Sequence, residues 1–365
     1  MRSMTGGLAL VLVFAATAAA QDSQFGILGL GTPGRFESVR ARSTGGAFAA
    51  FDGTSPFIDA SLIDLSRLTA TAAQYDSYRT VSVGGQSTSL RGARFPLLNI
   101  AGPVRKNIVL GGGFSTYLAR TYSVVTQDTV SIRGVNEPVS DRISSDGSVT
   151  DVRLAAAMQV ASRLSLGAGI HILSGSSNLV AQRRFADSTT YRNSSQTGQE
   201  SYDGVGFSGS AIAVVGPGLR IAAFARSDSR LRSEIAGFQN ASNDLPTTLG
   251  GAVRWDLNPG LKVAASVLHQ NWSVSGPKAF DVTQWTLGAE FGQHGMPLRF
   301  GVRGGQLPFG PGPSAPREFG VTAGTGFQFS SGRGIIDLGL ERLRRTGGGM
   351  TESAWTFLVG VSVRP

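Results

Sequence analysis

The sequence predicts an all-β fold. The expected form is a closed antiparallel transmembrane β-barrel of about 14 strands over residues 66–365, with an N-terminal plug at 21–65 and a signal peptide at 1–20. Three observations predict it. Apolar residues recur with period two along extended segments, the opposite face of those segments is built largely from Gly and Ser, and short Gly/Pro turns alternate with long polar links.

Period two is clearest toward the C-terminus. In Glu318–Phe329, Phe319, Val321, Ala323, Thr325, Phe327 and Phe329 share one face, and Glu318, Gly320, Thr322, Gly324, Gly326 and Gln328 share the other. Trp285, Leu287, Ala289 and Phe291 alternate with Thr286, Gly288 and Glu290, and Leu298, Phe300 and Val302 alternate with Arg299, Gly301 and Arg303. Trp355, Phe357, Val359, Val361 and Val363 form the apolar face of the last segment. A soluble sandwich would show Lys, Glu and Thr to water. Here the polar face is small, with isolated charges, and the other is aromatic and aliphatic to its ends, as a lipid-facing wall around a crowded polar lumen requires.

Strands are expected near 66–83, 94–102, 107–124, 148–160, 163–176, 203–214, 219–232, 247–256, 261–273, 281–291, 298–305, 317–329, 334–343 and 353–364. Short links such as Gly216-Pro217-Gly218 and Asn258-Pro259-Gly260 alternate with long ones at Gln127–Gly147, Ser177–Tyr202 and Ser233–Leu245, expected as loops. Short turns belong on the periplasmic side and long loops outside.

At the N-terminus, Arg2, the apolar run Leu8–Ala16 and Ala18-Ala19-Ala20 before Gln21 have the order of a cleavable export signal. No later window approaches the roughly 18 apolar residues of a membrane-spanning helix, which leaves strands as the means of crossing.

Residues 22–65 do not alternate. Glycines interrupt them, and Phe25, Phe36, Phe48, Phe51 and Phe57 are too many aromatics for a tail in water, so the segment is expected inside the barrel. A periplasmic extension or extra edge strands are the alternatives. The stretch Arg40-Ala41-Arg42-Ser43-Thr44-Gly45-Gly46-Ala47-Phe48-Ala49-Ala50-Phe51-Asp52-Gly53, with Ile58-Asp59-Ala60-Ser61-Leu62, resembles the N-terminal hatch of the FadL-type outer-membrane transporters and their PorV-like relatives. The final hairpin, from Gly339-Leu340-Glu341 to Trp355–Val363, is similar to the last hairpin of that family. Where the family has Asn-Pro this chain has Ile58-Asp59, the acidic stretch is reduced to Asp52, and the chain ends on Arg364-Pro365.

The resemblance implies a 14-stranded barrel blocked by its N-terminal segment, in a Gram-negative outer membrane, passing hydrophobic or amphipathic, fatty-acid-like small molecules passively. It implies a protein partner in secretion or surface attachment if the PorV-like relatives are the better guide. A structural barrel without ligand is the third reading. Phe48, Phe51 and Phe57 are the candidate ligand or plug contacts, Gly45, Gly46 and Gly53 the plug-turn glycines, and Arg299, Arg303, Glu318 and Glu341 the lumen charges.

Composition narrows the chemistry. The 365 residues contain no Cys and three His, which removes thiolate metal sites, cysteine nucleophiles and a histidine-rich metal centre, so no metal or cofactor is expected. His171 faces inward, the facing of His269 is ambiguous, and His294 falls in a turn; no Gly-x-Ser-x-Gly elbow accompanies them, so no enzyme is expected. The formal charge of +9 comes from 33 basic residues, only three of them Lys. Scattered through an exported chain, these arginines suit outer-membrane lipid or lipopolysaccharide phosphates rather than nucleic acid.

Overall fold

The computed structural model describes residues 23–236, 240–292 and 296–365. The expected signal peptide and His294 lie outside the described residues.

The wall is a closed ring of 14 antiparallel strands. In chain order they are β1 (Thr69–Val83), β2 (Gln86–Arg105), β3 (Ile108–Ala119, continued as Tyr122–Ile132), β4 (Val135–Ala161), β5 (Leu164–Phe185), β6 (Ser194–Gly216) and β7 (Leu219–Asp228, continued as Leu231–Ile235). There follow β8 (Thr247–Asn258), β9 (Leu261–Gln270), β10 (Val282–Phe291), β11 (Leu298–Gln306), β12 (Arg317–Phe329), β13 (Gly334–Gly347) and β14 (Met350–Val363). Each pairs with its neighbour in sequence, and β14 returns to β1 from Met350↔Val83 to Val363↔Ala70, which closes the ring. Closure gives ladder partners to backbone groups that hydrocarbon cannot solvate.

The alternation works as physics demands. Outward side chains form a continuous apolar belt: Phe300 is 50 % exposed, Phe357 51 % and Leu287 53 %, values untenable in water for so many large apolar groups. Their inward neighbours Arg299, Arg303, Thr356 and Leu358 are buried. No helix among the described residues is long and apolar enough to cross a membrane.

The long links differ from expectation. Gln127–Gly147 is not a loop: Tyr122–Ile132 pairs in full with Val135–Ser145. Ser177–Tyr202 likewise continues β5 and β6 through Arg183↔Ser194, and Ala241–Asn243 adds a short strand against Leu231–Ser233. These projections rise beyond the apolar belt into a polar medium on both faces, so they keep backbone pairing while losing the polar–apolar period by which strands are recognised.

Residues 23–65 lie within the ring. Their helix α1 (Val39–Arg42) is a single turn capped by Ser38, whose Oγ accepts from the Ala41 amide at 3.1 Å and donates to Asp52 at 2.6 Å. A 3-10 turn at Asp59–Asp64 follows. The glycines on the lumen face let this backbone come close. A Cβ on Gly301 or Gly288 would overlap the Thr44 backbone, and one on Gly167 would overlap Asp59 and Ala60. Gly45 and Gly46 take φ of +73° and +99°, which carries the chain round beneath the β11 backbone. Gly53 is not in this region; a side chain there would press on Leu65.

A Gly301→Val substitution should therefore leave the ring formed and expel the turn at residues 43–46. Heat-modifiable gel migration should be retained while protease cleavage within residues 35–55 rises; unchanged protection would show that this close approach is dispensable.

Candidate functional site

The segment is held by charge as much as by shape. Glu341 is fully buried and receives Arg35 Nη1 and Arg42 Nε, each at 2.7 Å. Glu290 accepts from Arg40 and, at 2.9 Å, from Arg299, whose Nη1 reaches Asp337 at 2.6 Å. Arg303 and Arg345 both meet Glu318 at 2.7 Å, and Arg345 continues to Glu352 at 3.0 Å. Glu352 in turn accepts from Ser23 Oγ at 2.9 Å. The lumen charges Arg299, Arg303, Glu318 and Glu341 thus belong to one set of inward ion pairs, and Arg35, Arg40 and Arg42 bring the N-terminal segment into it. The Arg42 guanidinium also lies over the Tyr75 ring, 4.1 Å from its centre.

A second anchor sits on β4, β5 and β6. Asp59 Oδ1 accepts from Arg153 at 3.0 Å, and Asp59 Oδ2 accepts from the Ser208 hydroxyl at 2.7 Å. Ser208 is 2.9 Å from His171 Nε2, and His171 Nδ1 is 2.9 Å from Asp151, which also pairs with Arg226 at 2.7 Å. The order Asp–His–Ser resembles a hydrolytic triad, but here the Ser208 hydroxyl also donates to Asp59 Oδ2, which ties it to the N-terminal segment. His269, by contrast, is exposed and bonded to Thr283 at 3.0 Å.

The N-terminal segment lies between two cavities. That toward the long connections has a volume of about 110 Å³ and is bounded by Phe57, Phe224, Tyr117, Trp272, Leu268 and Leu307, with polar groups from the ion-pair set at its edge. Trp272 and Phe309 come from connections folded inward over this end, 5.4 Å apart edge to face. The cavity toward the short turns, about 450 Å³, is polar and lined by Arg40, Asp52, Arg220, Arg254, Lys262 and Glu290.

Of the three candidate phenylalanines, Phe57 lines the apolar cavity, 5.0 Å from Phe224 in an edge-on contact and 6.1 Å from Phe36. Phe51 is buried with Ile58, Ala60 and Ile212 and borders the polar cavity, and Phe48 is buried with Ala47 and Ala264 beneath Arg254. No local pattern signals the Asp59–Ser208–His171 anchor, because its members come from distant segments.

The wall has a seam between β2 and β3. β2 and β3 pair only from Leu97↔Ser115 to Arg105↔Ile108 among the described residues. Above that, at Pro96, which has no amide to donate, β2 stays with β1 while β3 turns to the N-terminal segment through Thr32↔Ala119 and Pro33↔Leu118. Gly34 donates to the Tyr117 carbonyl at 2.8 Å, where any side chain would overlap Thr116. A further cavity lined by Gly92, Arg94, Pro96, Thr116 and Ala119 reaches from this seam to Glu341 and Arg345 in the lumen.

A closed 14-strand barrel with an apolar exterior, an occupied lumen and a side seam defines a class of outer-membrane barrel. Solved structures of that class share the fold. The chain is similar to a FadL homologue of Pseudomonas aeruginosa (TM-score 0.64, 12 % identity, 92 % of this chain and 99 % of that one), to the CymD monoaromatic hydrocarbon channel (0.59, 13 %, 93 % and 99 %), and to the P. putida toluene transporter TodX (0.58, 14 %, 93 % and 99 %). No protein-family model and no curated protein matches the sequence.

Replacing Glu341 with Gln should strand two buried guanidinium groups and destabilise the protein by about 3 kcal/mol or more. The urea midpoint of refolding measures this; a shift below roughly 1 kcal/mol would mean that water replaces the carboxylate. Asp59→Asn should release residues 58–64 specifically, seen as faster amide exchange there with the α1 region unchanged.

Proposed function

We propose that the chain is a passive conduit for hydrophobic or amphipathic small molecules across a Gram-negative outer membrane, reached by way of a cleaved signal peptide. Residues 23–65 serve as its plug. The observation that carries this reading is the aromatic-lined cavity of about 110 Å³ resting on the N-terminal segment. Enclosed apolar walls with a few fixed polar groups suit a small ligand held by burial and oriented at one end.

In this scheme a ligand enters between the inward-folded connections near Trp272, lodges against Phe57 and Phe224, and leaves through the seam beside Thr32–Pro33 into the membrane. No chemistry is required of the residues along this route. The likeness to TodX, a toluene transporter, and CymD, a monoaromatic hydrocarbon channel, favours small apolar cargo.

The test is retention. Refolded barrel incubated with a mixture of fatty acids and alkylbenzenes, then stripped of free ligand, should yield about one bound molecule per chain by mass spectrometry. A Phe57→Arg change should reduce this roughly tenfold by placing a charge in the apolar pocket. A wild-type protein that retains nothing from the mixture would overturn the conduit.

A further inference from the structure

The arginines of the outer face behave differently from those of the lumen. Inward arginines such as Arg35, Arg42, Arg299 and Arg345 meet carboxylates. Four outward ones do not: Arg91 on β2, Arg342 and Arg344 on β13, and Arg317 on β12 form no ion pair, and no other polar contact, among the described residues. Arg91 and Arg342 lie flat on aromatic rings instead, over Tyr78 at 4.5 Å and over Trp355 at 5.0 Å.

Register places them together. Arg91 is opposite Tyr78, Tyr78 opposite Trp355, and Trp355 opposite Arg342, one continuous row across β2, β1, β14 and β13. One step further toward the long connections, Ser89, Thr80, Ser353 and Arg344 form a second row, with Arg344 opposite Phe319 on β12 and Arg317 two residues beyond. Alternate residues on a strand are about 7 Å apart and the five strands from β2 to β12 span about 19 Å, so the patch is as wide as a bulky headgroup. Only one outward carboxylate, Asp76, occurs on these five strands, on the apolar side of Tyr78.

The depth is set by what lies below. On the outer face the large apolar side chains end at Phe95, Tyr78, Trp355, Leu340 and Phe319, and the next arginines or hydroxyls are Arg91, Thr80, Ser353, Arg342 and Arg317, with Gln74 and Asp76 below Tyr78 on β1. Tyr and Trp sit at the level of lipid headgroups. Guanidinium groups at that level, with no carboxylate to pair with them, suit anions from the membrane, and phosphate is the anion that their paired donors fit.

We propose that Arg91, Arg317, Arg342 and Arg344 form a binding site for the phosphorylated headgroup of lipopolysaccharide, with Tyr78 and Trp355 as its floor and the acyl chains lying on Phe357, Leu338 and Val359 below. This rests on the outer-membrane reading above, since only that outer leaflet carries such a lipid. It is independent of whether the lumen passes a ligand.

The experiment uses the full refolded barrel titrated in detergent with bisphosphoryl lipid A, dephosphorylated lipid A and phosphatidylglycerol, with bound lipid counted by native mass spectrometry. One equivalent of bisphosphoryl lipid A should survive stripping, and R342S/R344S should weaken it roughly tenfold while R342K/R344K keeps part of it. R91S, at the far edge of the patch, provides a second variant should the double change impair folding. Equal retention of the dephosphorylated form would reduce the site to acyl packing, equal retention of phosphatidylglycerol would reduce it to a general anionic surface, and undiminished binding by both R342S/R344S and R91S would remove it. Heat-modifiable migration and hydrocarbon retention, measured on the same samples, should stay at wild-type levels. A barrel that failed to insert into any bilayer would refute the membrane reading instead.

Discussion

Backbone satisfaction in hydrocarbon is the constraint on which the rest depends. A strand in lipid has no water to turn to, so each ladder must find a neighbour and the last strand must find the first. The β14–β1 pairing meets that demand and thereby fixes everything else: closure makes a lumen, and a lumen of 14 strands is too wide for wall side chains alone to fill. The chain fills it with its own N-terminal residues. Glycine on the inner face is the corresponding requirement on the wall, for a side chain at Gly301 or Gly167 would occupy the place of the enclosed backbone.

Filling a lumen with charged residues is costly unless each charge finds its complement. Here the pairing is shared between wall and segment: Glu341 takes two arginines, and both come from residues 35–42. Such pairs add little net stability over a well-packed apolar substitute, but breaking one strands a buried charge. They therefore specify position more than they add strength, holding α1 at one height against β13 and β14. The Asp59 anchor does the same on the far side of the ring.

The fold was largely legible. Segments such as 298–305 and 317–329 read from alternation coincide closely with β11 and β12, because there one face meets lipid and the other a polar lumen. Where the same strands leave the membrane the contrast disappears, and Gln127, Asp128 and Thr129 on β3 read as part of a link although they pair with Ser140, Val139 and Pro138. The site was less legible. Phe48, Phe51 and Phe57 share an irregular stretch with no period to say which faces a cavity. The inward facing of His171 followed from its strand, but its link through Ser208 to Asp59 joins residues 149 positions apart, and nothing local encodes it.

The seam at β3 gives the N-terminal residues a second identity. By pairing with Leu118 and Ala119, Thr32 and Pro33 act as a stave of the cask as well as part of what it encloses. An enclosed segment that is also a stave couples the filling of the lumen to the pairing of the wall. A lesion at residues 32–34 would then unpair an edge of β3 as well as loosen what fills the ring.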